Sequence, residues 1–221
     1  MENFKDKLVF ILVLIFLVLG FSLQAQDYSF GLKGGINSTV EKLSAQISGN
    51  SVKGTGYIQP GIGYQGGVFF ELDFNKFFVR PEVLYTHSTG EFDQLPKPLQ
   101  YTVNKLSVPL LVGYNIWGPI DIYAGIAYQN ILNNKIETYS GILKSLQSPW
   151  AGQLGIKYVY NKIEIDLRYD FTMNSKEYQV FSIGPERYAI DDGRLNQLML
   201  SLSIKLFDSE NPWRKKRSCY F

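Results

Sequence analysis

The nine residues Ile163-Glu164-Ile165-Asp166-Leu167-Arg168-Tyr169-Asp170-Phe171 alternate strictly between apolar or aromatic and charged side chains. Successive side chains of a β-strand point to opposite faces, so this stretch is a strand with one greasy face and one charged face. A soluble sheet would turn the greasy face inward. A membrane-spanning barrel inverts the arrangement, with lipid against the apolar face and charge inside.

The start of the chain favours export. Lys5 and Lys7 precede an apolar block from Leu8 to Leu19, followed by Leu23-Gln24-Ala25 and the polar Gln26-Asp27. This is the layout of a cleavable signal peptide, with cleavage expected after Ala25. A membrane anchor needs about 20 apolar residues, which this block does not supply, and no later segment does either. Any span must therefore be made of strands, because only helices and closed barrels satisfy their backbone hydrogen bonds in lipid. Fifteen Tyr, fifteen Phe and twenty Gly with a single cysteine describe an aromatic- and glycine-rich β protein without an internal disulfide framework. A net charge of +2 gives no electrostatic case for nucleic acid.

Alternation and turn residues predict eight strands near Tyr28–Asn37, Gly61–Leu72, Phe77–Ser88, Tyr101–Asn115, Ile120–Leu132, Trp150–Tyr160, Ile163–Met173 and Leu195–Phe207. Tight turns join them at Asp73-Phe74-Asn75-Lys76, Ile116-Trp117-Gly118-Pro119 and Asn161-Lys162. Longer polar segments, read as loops, intervene at Ser38–Pro60, Thr89–Gln100, Asn133–Pro149 and Asn174–Arg194. Sorting into long and short connections is the habit of outer-membrane barrels, with short turns in the periplasm and long loops outside. Each apolar stripe holds about five alternate residues, enough for a tilted strand to cross a hydrocarbon band of ~25 Å. Aromatics cluster at both ends of the stripes, as interfacial girdles do: Phe74, Phe77, Trp117, Tyr160 and Phe207 beside the short turns, and Tyr85, Tyr101, Tyr128, Trp150 and Phe171 toward the long segments. The expected fold is all-β: an eight-stranded antiparallel up-and-down transmembrane β-barrel with a filled polar lumen. The domain layout is a signal peptide over 1–25, the barrel over 26–207 and a basic periplasmic tail over 208–221. An even strand count puts both termini in the periplasm of the cell outer membrane.

Parity collects an inward set of Lys33, Arg80, Lys105, Lys157, Arg168 and Lys205 against Glu71, Glu82, Asp121, Glu164, Asp166 and Asp170. The signs balance. An eight-stranded barrel has room inside for little more than side chains, and an unpartnered buried charge costs about several kcal/mol. A salt-bridged plug is expected rather than a pore, with Arg80, Lys157 and Lys205 as the partners of the acidic Ile163–Phe171 strand. Glycines at 31, 35, 63, 67, 113, 125 and 155 also point inward and make room for long side chains.

Candidate chemistry is sparse. An esterase acting on lipid would use the single histidine, His87, but parity puts His87 outward and its neighbour Ser88 inward, with no carboxylate placed to orient it. One His and one Cys (Cys219) give no metal-ligand spacing, and Asp191-Asp192-Gly193 reads as a turn rather than a cation loop. Lys33-Gly34-Gly35 lacks the strand-turn-helix setting of a phosphate loop. Neither cofactor nor metal is expected. The run Trp213-Arg214-Lys215-Lys216-Arg217 reads as a solvated end, with anionic lipid or a periplasmic partner as the alternative.

The segments Phe30-Gly31-Leu32-Lys33-Gly34-Gly35-Ile36-Asn37, Phe78-Val79-Arg80-Pro81-Glu82-Val83-Leu84-Tyr85 and Leu106-Ser107-Val108-Pro109-Leu110-Leu111, with the leader ending Gln24-Ala25-Gln26, resemble the PorT-like outer-membrane β-barrel family of Bacteroidota. The resemblance spans nearly the whole mature chain. It implies an eight-stranded outer-membrane barrel whose relatives mostly carry no assigned activity, some being tied to protein secretion. Such barrels often end on an aromatic of the last strand, a role that falls here to Phe207 with fourteen residues beyond it. The expected function is a non-enzymatic envelope or secretion component in contact with outer-membrane lipid and with envelope or secretion-system proteins. A narrow channel or small-solute carrier and a lipid-modifying enzyme are the alternatives, and a soluble ligand-binding barrel is the rival at the level of fold.

Overall fold

The computed structural model describes residues 27–40, 44–48, 53–92, 99–136, 149–173, 179–183, 186–190 and 196–209. The proposed leader, the Asp191-Asp192-Gly193 turn and the basic tail lie outside them.

Twelve strands run through the described residues: β1 Asp27–Thr39, β2 Ser44–Ser48, β3 Lys53–Pro60, β4 Ile62–Phe74, β5 Phe77–Phe92 and β6 Leu99–Trp117, followed by β7 Ile120–Ile136, β8 Trp150–Tyr160, β9 Ile163–Thr172, β10 Gln179–Ile183, β11 Glu186–Ile190 and β12 Gln197–Asp208. Eight of them close a barrel. Neighbours pair in the cyclic order β1-β4-β5-β6-β7-β8-β9-β12, and β12 returns to β1 with Ile36 opposite Leu200 and Lys33 opposite Ser203. Every pairing is antiparallel. Closure leaves no unpaired edge in the wall, which lipid would not tolerate.

The alternation read from the sequence becomes an inside and an outside. Along β12 buried and exposed residues alternate without a break from Gln197 to Leu206, and β9 does the same from Ile163 to Arg168. The exposed set is the apolar one, including Leu110, Val112, Ile122, Ile126, Ile165, Leu167, Leu200 and Leu202. A soluble barrel would have these reversed, so the apolar stripes face the bilayer. Girdle residues stand at the stripe ends: Phe207 stacks on Tyr28 and Phe30 at centroid distances of 5.5 and 6.0 Å, and Trp150 meets Tyr128 edge-on at 5.6 Å at the other end.

The short connections are two-residue turns at Asn75-Lys76, Gly118-Pro119 and Asn161-Lys162. Asn75 and Asn161 adopt φ of 63° and 53°, and Gly118 a φ of 52°. This left-handed region is open to glycine and tolerated by asparagine, which explains the residue choice.

The long segments depart from the expectation of plain loops. β2 and β3 form a hairpin within the first, β10 and β11 another within the last, and β11 pairs with β2 while β3 pairs with the far end of β5. β5, β6 and β7 also run past their expected limits, to Phe92, from Leu99 and to Ile136. A sheet ordered β10-β11-β2-β3-β5-β6-β7 thus rises from one side of the barrel at its long-loop end. The apolar stripe marks only the part of a strand that meets lipid, so these extensions carry no such mark.

Candidate functional site

All twelve charged residues collected by parity are buried in the lumen. Pairing places them in a single network that runs the length of the inner half and reaches into the outer half.

Beside the short turns, Glu71 of β4 meets Lys157 of β8 at 2.5 Å, Arg80 of β5 at 3.1 Å and Lys205 of β12 at 3.5 Å. Glu164 of β9 shares the same three bases, at 2.6 Å from Arg80, 3.9 Å from Lys157 and 3.8 Å from Lys205. Asp121 closes this end with Lys157 at 3.6 Å and a hydrogen bond accepted from Asn115 at 2.6 Å. Arg80 also reaches the next layer, its Nε lying 3.1 Å from Glu82. There Arg168 donates from Nη1 and Nη2 to the two oxygens of Glu82 at 2.8 and 3.0 Å, a bidentate fork that lysine could not copy. Lys33 lies 3.5 Å from Glu82 and 3.2 Å from Asp166, and the Tyr123 hydroxyl donates to Asp166 while accepting from Arg168 Nε at 3.0 Å.

Above this layer, Arg168 Nη1 donates to Gln153 Oε1 at 3.0 Å, and Gln153 and Gln129 each donate to Asp170 at 2.7 Å. Lys105 stands 3.8 Å from Asp170. Aromatic faces complete the packing, with the Arg80 guanidinium 3.7 Å from the Phe69 centroid and the Lys157 ammonium 3.7 Å from that of Phe78. Phe78, Leu111 and Tyr123 form a small apolar cluster in the lumen. It fits only because residues 113 and 155 lack side chains: a Cβ would fall 2.1 Å from the Phe78 ring at Gly113 and 2.3 Å from the Tyr123 ring at Gly155.

Arg80, Lys157 and Lys205 do meet β9, but at Glu164. Asp166 is served by Lys33 and by Arg168 of its own strand, and Asp170 by Lys105 and two glutamines. Tyr123 and Gln129 share the inward parity of Asp121, and nothing else in the sequence points to their role. Phe69, Gln65 and Gln153 carried no signal beyond their parity.

His87 is on the outer face. Its ring packs on Tyr64 with centroids 4.8 Å apart, and its Nδ1 lies 2.6 Å from Asn104 Oδ1. Ser88 points into the lumen, where it donates to Asn37 Oδ1 at 3.1 Å and accepts from Gln197 at 2.5 Å. The two side chains are on opposite sides of the wall and cannot share a proton. Replacing His87 by alanine is accordingly expected to leave the lipid A profile of the cell unchanged, as read by mass spectrometry of extracted lipid A. A lost or new acyl form would restore the enzymatic alternative. Among the described residues no group of three His, Cys, Asp or Glu is placed to hold a metal, and Lys33-Gly34-Gly35 sits mid-strand in β1.

Comparison with known proteins agrees with this architecture. The family model described as outer membrane protein beta-barrel domain matches residues 24–176. Among solved structures, the chain is similar to the outer membrane protein OprG of Pseudomonas aeruginosa, with a TM-score of 0.51 and 19% identity over 82% of this chain and 96% of that one. It also matches Ail, the attachment invasion locus protein of Yersinia pestis, with a TM-score of 0.42 and 12% identity over 81% and 98% of the two chains. At these identities the likeness to OprG speaks for the fold alone. No curated protein matches the chain significantly.

Proposed function

This chain belongs to the outer membrane protein beta-barrel domain family, and from that premise we propose that it acts as a non-enzymatic integral component of the outer membrane, one that presents its outer segments to partners in the envelope or in a protein-secretion assembly. The observation that carries the reading is the charge network across the lumen. A conducting pore needs a water path along its axis. Here Arg80 ties Glu71 and Glu164 to Glu82, and Arg168 ties Glu82 to Gln153, so side chains from β4, β5, β8 and β9 meet across the axis. The sheet of β10, β11, β2 and β3 standing on β5 offers a surface beyond the lipid belt, which favours contact with other proteins over transport. Kinship with the PorT-like branch, a cleaved leader over 1–25, a periplasmic tail over 208–221 and both termini in the periplasm belong to the same proposal.

Two measurements test it. Purified protein reconstituted in planar bilayers is expected to give no stable single-channel currents at neutral pH, whereas discrete, reproducible currents would favour the narrow-channel alternative. Affinity purification from detergent-solubilised outer membrane is expected to bring down defined envelope or secretion proteins in fixed ratio, and isolation of the barrel alone under several mild detergents would count against an assembly role.

A further inference from the structure

The outward face of the wall is largely apolar, but over part of its long-loop end it turns polar. Residues directly opposite each other in an antiparallel pair share one face of the sheet. His87 is on the outer face, and the strand pairing sets it in a row that runs Tyr64, His87, Asn104, Asn133 across β4, β5, β6 and β7. Asn104 lies between the buried Val103 and Lys105, so it too faces outward. One row further out, Thr89, Thr102 and Lys135 are opposite one another on β5, β6 and β7. On β8 and β12 the exposed residues toward the same end are Trp150 and Leu198. The polar rows are therefore local to one part of the wall.

Their height follows from strand length. His87 is ten residues beyond Phe77 of the inner girdle, which at about 3.3 Å per residue and a strand tilt of roughly 40° is about 25 Å along the membrane normal. That distance spans the hydrocarbon band, so the rows stand where acyl chains give way to headgroups. A β-bulge selects what the rows contain. The β6–β7 register slips at Asn104/Lys105: Lys105 is opposite Ile131 and Asn104 is opposite Asn133, so Leu132 is passed over. Without the slip Asn104 would face Leu132, and Thr102 would face Asn134 in place of Lys135. Bulges recur where a strand must re-aim its side chains.

His87 is held in its row. Its ring stacks on Tyr64, and its Nδ1 lies 2.6 Å from Asn104 Oδ1. An amide oxygen only accepts, so Nδ1 carries the proton. Among the described residues Nε2 has no hydrogen-bond partner, and it is the ring atom left to meet a headgroup. The two rows combine an imidazole, amides, hydroxyls and one lysine position, with no carboxylate in either. The nearest acid along β5, Glu91 opposite Gln100, is one row further from the lipid. Hydroxyl and amide donors beside a cation suit a phosphate.

We infer that these rows form a site on the outer surface of the wall for the phosphate-bearing headgroup of an outer-leaflet lipid. Binding leaves the lipid chemically intact, in keeping with an unchanged lipid A profile for His87→Ala. The site goes beyond the function proposed above and does not depend on it, since the following experiment contains no protein partner.

His87 is the single histidine of the chain, so the site can be read directly. The full chain, purified without a histidine tag and carrying isotope-labelled histidine, is held in dodecyl maltoside micelles, and folding is checked by heat-modifiable migration. Diphosphorylated lipid A is expected to shift the one ring signal in NMR spectra and to slow modification of the ring by diethyl pyrocarbonate at least fivefold. Lipid A stripped of its phosphates and inorganic phosphate at the same concentration are expected to do neither. Lys135→Gln is expected to raise the lipid A concentration needed for half of the shift at least threefold, with Thr102→Val as the second variant should the first not fold. No shift and no protection with diphosphorylated lipid A would overturn the inference. So would an equal effect of phosphate-free lipid A or of inorganic phosphate, or unchanged titrations in both variants.

Discussion

Replacing Arg168 by methionine is expected to destabilise the folded barrel by about 3–5 kcal/mol, the range seen when one partner of a buried ion pair is removed. The size follows from what is left behind. Arg168 supplies both hydrogen bonds of a fork to Glu82, a third to Tyr123, a fourth to Gln153, and lies 3.5 Å from Asp166. Methionine fills a similar volume and returns none of them, and the balanced lumen gains one uncompensated negative charge. Glu82 keeps Arg80 and Lys33, so the loss should fall short of complete unfolding. Urea titration of the barrel refolded into detergent micelles, followed by the folded and unfolded bands of unboiled gels, gives the number. Adding Glu82→Gln should recover part of the loss by restoring neutrality. If the double variant were as unstable as the two single losses summed, the pair would be energetically uncoupled and the network would be contacts without consequence.

Gly113→Val is the second large effect, expected at about 2–3 kcal/mol from overpacking. Gly113 is opposite Phe78 in the β5–β6 pairing, and a Cβ there would lie 2.1 Å from that ring. Phe78 cannot simply swing aside, because the Lys157 ammonium sits over its ring 3.7 Å from the centroid and Tyr123 packs against it with centroids 6.5 Å apart. Strand slippage is equally closed, since a shift of one residue would exchange the lipid face for the lumen face. Adding Phe78→Ala should relieve the clash and recover much of the loss, in the same urea titration. A Gly113→Val protein as stable as the parent would mean that the aromatic cluster is soft enough to repack.

Reading the sequence succeeded where a two-residue period carries the information. Lys33, Glu82 and Arg168 are buried because their neighbours on either side must face lipid, and this can be seen in one strand at a time. It did less well where information is shared between distant strands. The acidic strand Ile163–Phe171 is expected to draw on Arg80, Lys157 and Lys205, and these three meet it at Glu164 alone, while Asp166 meets Lys33 and Arg168. Gln65 and Gln153 had parity but no apparent task, because an uncharged side chain in a barrel interior does not declare which carboxylate or hydroxyl it will serve. The strands β2, β3, β10 and β11 were read as loops for a different reason. Outside the bilayer a strand needs no long apolar stripe, and Ser44-Ala45-Gln46-Ile47-Ser48 offers only the two alternate residues Ala45 and Ile47, too few to stand out.

By itself the sequence determined the eight-stranded wall, its inside and outside, the tight turns and the membership of the charged interior, since lipid imposes a strict alternation that each strand must obey alone. Only the tertiary structure decided which acid meets which base, which uncharged side chains join the network, and that part of the outer segments continues the sheet. Those outcomes depend on the axial stagger of strands around a closed barrel and on distances across its lumen. No single strand carries either quantity in its pattern.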